Sequence, residues 1–213
     1  MNDILKFKNK FKNKRCVICG TGDTFLQYKK IEDAYHIGVN KYFNFRNDID
    51  FDFYFIKDKD GFTKEEQNII FNLKPRIAKF ISYFDNKEIG QLPYFLNDYK
   101  KSKVPFIKYH NIEITYEEAF EFCDGKTNNW PLNLHDEKFG RTLTVILKAF
   151  QFALYCNFSE IIIVGCDVDD DHEYFFGDWL YAKNFAKKYY PDIKIKVIRP
   201  KALKNYFEEL ENN

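Results

Sequence analysis

The chain has 213 residues, 45% of them hydrophobic and 19% aromatic, which is enough to bury a core and excludes a disordered polymer. Lys and Arg number 33 against 32 Asp and Glu, a net charge of +1, so no global basic field points to nucleic acid. No run reaches the roughly 18 apolar residues that span a bilayer, and the N-terminus lacks the apolar centre of a signal peptide; a cytoplasmic protein is expected.

Residues 1–14 form a leader carrying Lys6, Lys8, Lys10, Lys12 and Lys14, with Phe7 and Phe11 between them. The favoured reading is a helix or tail packed on the domain. The alternative is an amphipathic contact with an anionic membrane surface, placing the protein peripherally at the inner membrane face. Short apolar runs then predict strands at Cys16–Cys19, His36–Val39, Phe51–Ile56, Ile77–Ser82 and Ile161–Val164. A sixth, Ile193–Ile198, alternates apolar and Lys residues and predicts an edge strand with one wet face. Helical patterns lie between them. Lys64–Leu73 follows Thr63 with Glu66 three residues on, a capping box. Thr142–Tyr155 and Tyr174–Tyr189 show core-facing periodicity, and Lys201–Leu210 predicts a closing helix. Strands alternating with helices give an α/β class: one Rossmann-like domain over 1–213, its mostly parallel sheet flanked by helices. From about 85 to 135 the pattern breaks down among Gly, Pro and Asn, which predicts an irregular lid or insertion.

The pair Cys16 and Cys19 is spaced like a metal or redox motif. On a strand, however, residues three apart face opposite sides of the sheet, so both are expected to be buried structural thiols. Four other groups can carry chemistry. Cys19-Gly20-Thr21-Gly22-Asp23-Thr24 runs from a strand through a glycine turn into a predicted helix. Such a turn lets backbone approach a phosphate and presents free N–H groups, although a plain tight turn has the same signature. Asn40 ends the second strand, where an amide can meet a base or ribose or simply form a turn. Gly140-Arg141-Thr142 precedes the long helix, and Arg141 there can clamp a phosphate. Gly165-Cys166-Asp167 ends the Ile161–Val164 strand, followed by Asp169, Asp170, Asp171 and His172. Carboxylates so placed can bind Mg²⁺, orient a ribose or act as a base, and a solvated acidic loop is the plain alternative. The run has no Gly at the sixth position of an EF-hand loop. Asp167-Val168-Asp169 is short enough to match the Asp-x-Asp of sugar-nucleotide transferases by chance. Of the four histidines, His36 lies within a strand and is expected to be packed, whereas His135 and His172 are candidate bases.

Taken in order, Gly20-Thr21-Gly22, the strand ending in Asn40, Phe51 to Asp58, Gly140-Arg141-Thr142-Leu143-Thr144 and Ile161 to Asp167 resemble the small bacterial sialyltransferases that decorate lipooligosaccharide. They also resemble related DUF115-type Rossmann proteins, which include flagellin-glycosylation proteins and an archaeal pterin pyrophosphokinase. The resemblance spans about 15 to 200. It implies that Gly20, Thr21, Gly22 and Asp23 face the nucleotide phosphate, Asn40 the base or ribose, and Arg141, Thr142 and Gly165 the nucleotide site. Asp167 would mark the cleft beside the transferred group, and Tyr174 would donate to the leaving phosphate. The chain departs from the usual Gly-Asn-Gly-Pro-Ser at Thr21, Asp23 and Thr24, and its His172 follows the Gly-x-Asp block more closely than the catalytic histidine of those enzymes.

The expectation is a glycosyltransferase taking a nucleotide-activated sugar, such as a CMP-activated acidic sugar, and a glycan or lipid-linked acceptor, with no metal cofactor. The alternatives are an ATP- and Mg²⁺-dependent pyrophosphokinase, with Asp167 and Asp169 holding the metal, and a non-catalytic partner-binding domain of the same fold.

Overall fold

The computed structural model describes residues 3–46, 48–57, 62–83, 112–117, 130–135, 139–140, 142, 144–167 and 173–212, with backbone alone at 3, 71, 81–83, 112–117 and 173–175. Among these residues eight strands form the sheet: β1 (Arg15–Cys19), β2 (Ala34–Val39), β3 (Phe53–Ile56), β4 (Ala78–Tyr83), β5 (Ile112–Glu117), β6 (Glu160–Val164), β7 (Lys194–Val197) and β8 (Glu208–Glu209). The apolar runs at its centre, in β1, β3 and β6, are buried almost throughout. All pairings are parallel, in the order β5-β4-β3-β2-β1-β6-β7-β8. The chain steps outward from β1 to β5, returns to place β6 against β1, and then steps outward on the other side. The strand order therefore reverses between β1 and β6, and the carboxyl ends at such a reversal are where open α/β sheets bind ligands.

Among the described residues three α-helices accompany the sheet: α1 (Lys64–Asn72), α2 (Val145–Tyr155) and α3 (Glu173–Tyr189). The capping box at α1 is present: Thr63 accepts from the Glu66 N–H, and the Glu66 carboxylate accepts from the Thr63 N–H at 2.9 Å. Glu66 also pairs with Lys41 at 3.0 Å, which ties the loop after β2 to the start of α1. All of α2 is buried against the face formed by Cys16, Ile18, Phe53, Phe55 and Phe80. The other face carries Val17, Cys19, Tyr54 and Ile162 and packs Phe25, Tyr28, Tyr42 and Phe51. Cys16 and Cys19 thus lie in different cores, as the strand period requires, and burial pushes both thiols well above their ordinary range.

The leader packs on the domain. Ile4, Phe7 and Phe11 are buried, Phe11 stacks on Phe158 at 4.8 Å, and the Asn9 N–H donates to the Tyr155 carbonyl at the end of α2. Leu5 and the five lysines of the leader are exposed. No helix among the described residues is long and apolar enough to cross a membrane.

Three sequence expectations change. β7 is not the edge, because β8 pairs with it. The predicted helix over Lys201–Leu210 is instead a series of turns ending in β8; Leu203 is buried, and the Leu210 N–H donates to the Val197 carbonyl. A ten-residue helix is marginal alone, and here the ladder at the sheet edge prevails. Within the stretch expected to be irregular, residues 112–117 form β5 at the other edge of the sheet. Most of the remaining 85–135 segment lies outside the described residues.

Candidate nucleotide site at the strand reversal

The loops after β1 and β6 meet at the reversal point. The Gly20 N–H donates to the Val164 carbonyl at 2.8 Å, and the Gly22 N–H to the Gly165 carbonyl at 2.9 Å. Gly165 sits at φ +70°, in the left-handed region, and its N–H donates to the Thr24 hydroxyl at 3.2 Å. A side chain at Gly20 would run into the Gly165 carbonyl, and one at Gly165 would come within 2.8 Å of the Gly20 oxygen. Gly22 has ordinary extended angles, φ −81° and ψ 160°. Its constraint is spatial: a Cβ there would lie 2.6 Å from Asp167 Oδ2 and 2.7 Å from Asp167 Cβ. Loop-to-loop packing thus requires these three glycines before any ligand is considered.

The segment after Gly22 is a five-residue 3-10 turn, Asp23–Gln27, rather than the α-helix expected, so no helix dipole is aimed at an anion. Its buried Thr24 is engaged by Asp167. The Thr24 N–H donates to Oδ2 at 2.6 Å, and the Thr24 hydroxyl donates to Oδ1 at 2.8 Å. The N–H groups of Thr21 and Asp23 have no partner among the described residues; Thr21 is half-buried and Asp23 exposed.

Asn40 stands one strand over, at φ 42°, a left-handed position that Asn tolerates. Its Oδ1 accepts from the Lys57 N–H at 2.9 Å, its carbonyl accepts from the Tyr54 hydroxyl, and its Nδ2 has no partner among the described residues. Lys57, at the end of β3, was missed by sequence reasoning; the only signal was a charge directly after Phe-Tyr-Phe-Ile. It is buried, and its ammonium donates to the Thr142 carbonyl at 2.6 Å. Thr142 is itself buried, with its hydroxyl donating to the Thr144 carbonyl at 3.0 Å, so it shapes the wall and does not present a donor. The same strap is held at Gly140, whose N–H donates to Gln151 Oε1 at 3.0 Å and whose carbonyl accepts from Gln151 Nε2 and from the buried Lys148 ammonium.

The fold therefore gathers Gly20, Thr21, Gly22, Asp23, Gly165 and Asp167 at the reversal point and sets Asn40, Lys57 and Thr142 beside them. It does not bring His135 there. α2 starts next to Gly20, through Ile146, and ends at Cys156, against Cys16 at the far end of β1. His135 Nδ1 is 2.9 Å from the Tyr155 hydroxyl in the last turn of α2, so it lies at the opposite edge of the sheet. Ten residues at ~1.5 Å each put that end about 15 Å from the start of α2. Arg141, Asp169 and His172 lie outside the described residues, as does the side chain of Tyr174, whose backbone lies in the first turn of α3. Among the described residues no group of three His, Cys, Asp or Glu is placed to hold a metal ion.

No known family description matches the chain, and no curated protein matches it. Solved structures do. A mutant of the alpha-2,3/8-sialyltransferase CstII superposes with a TM-score of 0.55 at 15% identity, over 93% of this chain and 88% of that one. CstII from Campylobacter jejuni, in complex with the substrate analogue CMP-3FNeuAc, gives a TM-score of 0.52 at 14% identity, over 93% and 86%. The chain has a sialyltransferase-like fold. At this identity the likeness establishes the architecture and leaves the chemistry to this chain's own residues.

Proposed function

We propose that the protein is a glycosyltransferase that takes a CMP-activated acidic sugar and passes the sugar to a hydroxyl of a surface glycan. The observation that carries the reading is the pair of glycine-bearing loops closed on each other at the reversal point of a sialyltransferase-like sheet. In the proposed reaction the acceptor oxygen bonds to the anomeric carbon. The bond from that carbon to the phosphate oxygen breaks, the electron pair leaves with the nucleotide, and a base takes the acceptor proton. The main-chain N–H groups of Thr21 and Asp23 are the turn's donors for the ligand, and the Asn40 amide is the donor one strand over. Arg141 and Tyr174 are proposed to meet the leaving phosphate, and His172 to be the base.

Both Asp167 oxygens accept from Thr24, which fixes the carboxylate against the turn and favours a structural part for it over that of base or metal ligand. That supports a metal-independent reaction over Mg²⁺-dependent pyrophosphoryl transfer. The test is a thermal-shift panel of CMP, CDP, UDP, GDP, ADP and ATP in EDTA and in Mg²⁺, followed by CMP release from a CMP-activated acidic sugar. A ligand that binds the native state raises the midpoint. Stabilisation by CMP in EDTA is expected. A response to ATP only with Mg²⁺ would replace this reading with the pyrophosphokinase one, and silence across the panel would leave a non-catalytic binding domain.

A further inference from the structure

We infer that Asp167 is a positioning residue, a latch that holds the β1 glycine turn in its ligand-binding shape; the nucleotide half of this inference rests on the reading above. Thr24 joins the two loops as a relay. The Gly165 N–H donates to the Thr24 hydroxyl, the hydroxyl donates to Asp167 Oδ1, and the Thr24 N–H donates to Asp167 Oδ2. The carboxylate thus takes the turn's innermost N–H, the one a bound anion would otherwise seek. It also lies flat against Gly22, where even a methyl group would collide with it. Between Gly20 and Thr24 every main-chain N–H is accordingly assigned. Those of Gly20 and Gly22 go to Val164 and Gly165 and that of Thr24 to Asp167, which leaves Thr21 and Asp23 as the pair with no partner among the described residues. With Asp167 removed, the turn loses the contact that sets the direction of that pair. The charge that leaves with the carboxylate and the freed Thr24 N–H favour an anion, and the lost shape of the turn outweighs them.

The test is a double-mutant cycle on the full chain: Asp167→Ala, Thr24→Val, both together, and Thr24→Ser as the conservative control. Two quantities are measured, the thermal midpoint without ligand and the affinity for CMP by titration calorimetry. Thr24→Val removes one of the two bonds to the carboxylate and is expected to weaken CMP about threefold. Asp167→Ala removes both and is expected to weaken it about tenfold, and the double variant by less than the product of the two, the Gly165 N–H having also lost its Thr24 acceptor. Thr24→Ser keeps the hydroxyl and is expected to bind within about twofold of wild type. Midpoints that add in the double variant would refute the latch. A coupled midpoint with unchanged CMP affinity in Thr24→Val and Asp167→Ala would refute the positioning role. Loss of turnover in Asp167→Ala with unaltered midpoint and CMP affinity would make Asp167 a base or a metal ligand instead. If wild type binds no nucleotide in the panel, the proposed function and the nucleotide half fall together, and the latch is judged by the midpoint cycle alone.

Discussion

Replacing Gly22 by alanine separates two explanations of the glycine turn. If Gly22 is there to let a phosphate approach the backbone, alanine should spare the fold and weaken only the ligand. The structure gives a different cause. At φ −81° alanine meets no backbone strain, but its Cβ would sit 2.6 Å from Asp167 Oδ2 and 2.7 Å from Asp167 Cγ. The carboxylate must then leave Thr24, and two hydrogen bonds to an ionised acceptor are lost, nominally about 1.5–3 kcal/mol each. The site is half-buried, so water recovers part of this, and alanine also returns about 0.4–1 kcal/mol by restricting the unfolded chain. A net loss of about 2 kcal/mol remains, which for a chain of this size lowers the melting midpoint by about 4–8 °C. Urea unfolding and thermal melts without ligand measure it. Combining Gly22→Ala with Asp167→Gly, which removes both the carboxylate and the Cβ, should cost no more than Asp167→Gly alone. The reasoning is refuted if Gly22→Ala melts within about 1 °C of wild type while losing CMP.

Three further outcomes are expected. His36 is fully buried, and burial lowers its pKa to about 4, with Asp52 opposing the shift. Below about pH 6.5 the unfolded chain therefore takes up a proton that the native state refuses, so stability falls with pH from about 6.5 towards 4. The loss between pH 7 and 5.5 is about 1 kcal/mol, read from urea midpoints, and His36→Gln should flatten that slope; an equal slope in the variant would count against it. His135→Ala should keep turnover within about twofold, since the ring sits against Tyr155 at the far edge of the sheet; a tenfold fall in kcat with the fold intact would return His135 to the mechanism. Cys16, Cys19 and Cys156 are fully buried with raised thiol pKa values, so a thiol reagent should modify none of them before unfolding; labelling of any one in the native state would refute this.

Local chemistry in the sequence was enough for the parts of this protein that depend on neighbours along the chain. Runs such as Cys16–Cys19 and Ile161–Val164, short and apolar without alternation, fit strands covered on both faces, and the helical patterns between them imply parallel pairing with crossovers. Thr63 and Glu66 specify their capping box within four residues, and the strand period puts Cys16 and Cys19 on opposite faces. Pairing between distant segments was another matter. β5 reads Ile-Glu-Ile-Thr-Tyr-Glu, an alternation that becomes a strand because β4 offers it an open edge, and the two residues of β8 are a strand only because β7 is beside them. Lys57 shows its role only once Thr142, 85 positions away, supplies the carbonyl. Asp167 looked like a base or a metal ligand while it was simply a carboxylate after a strand. The fold sets Thr24, 143 positions earlier, against both of its oxygens, and the latch proposed above rests on that contact. A carboxylate's role follows from which donors reach it, and those donors are brought together by the order of strands in the sheet rather than by the order of residues in the chain.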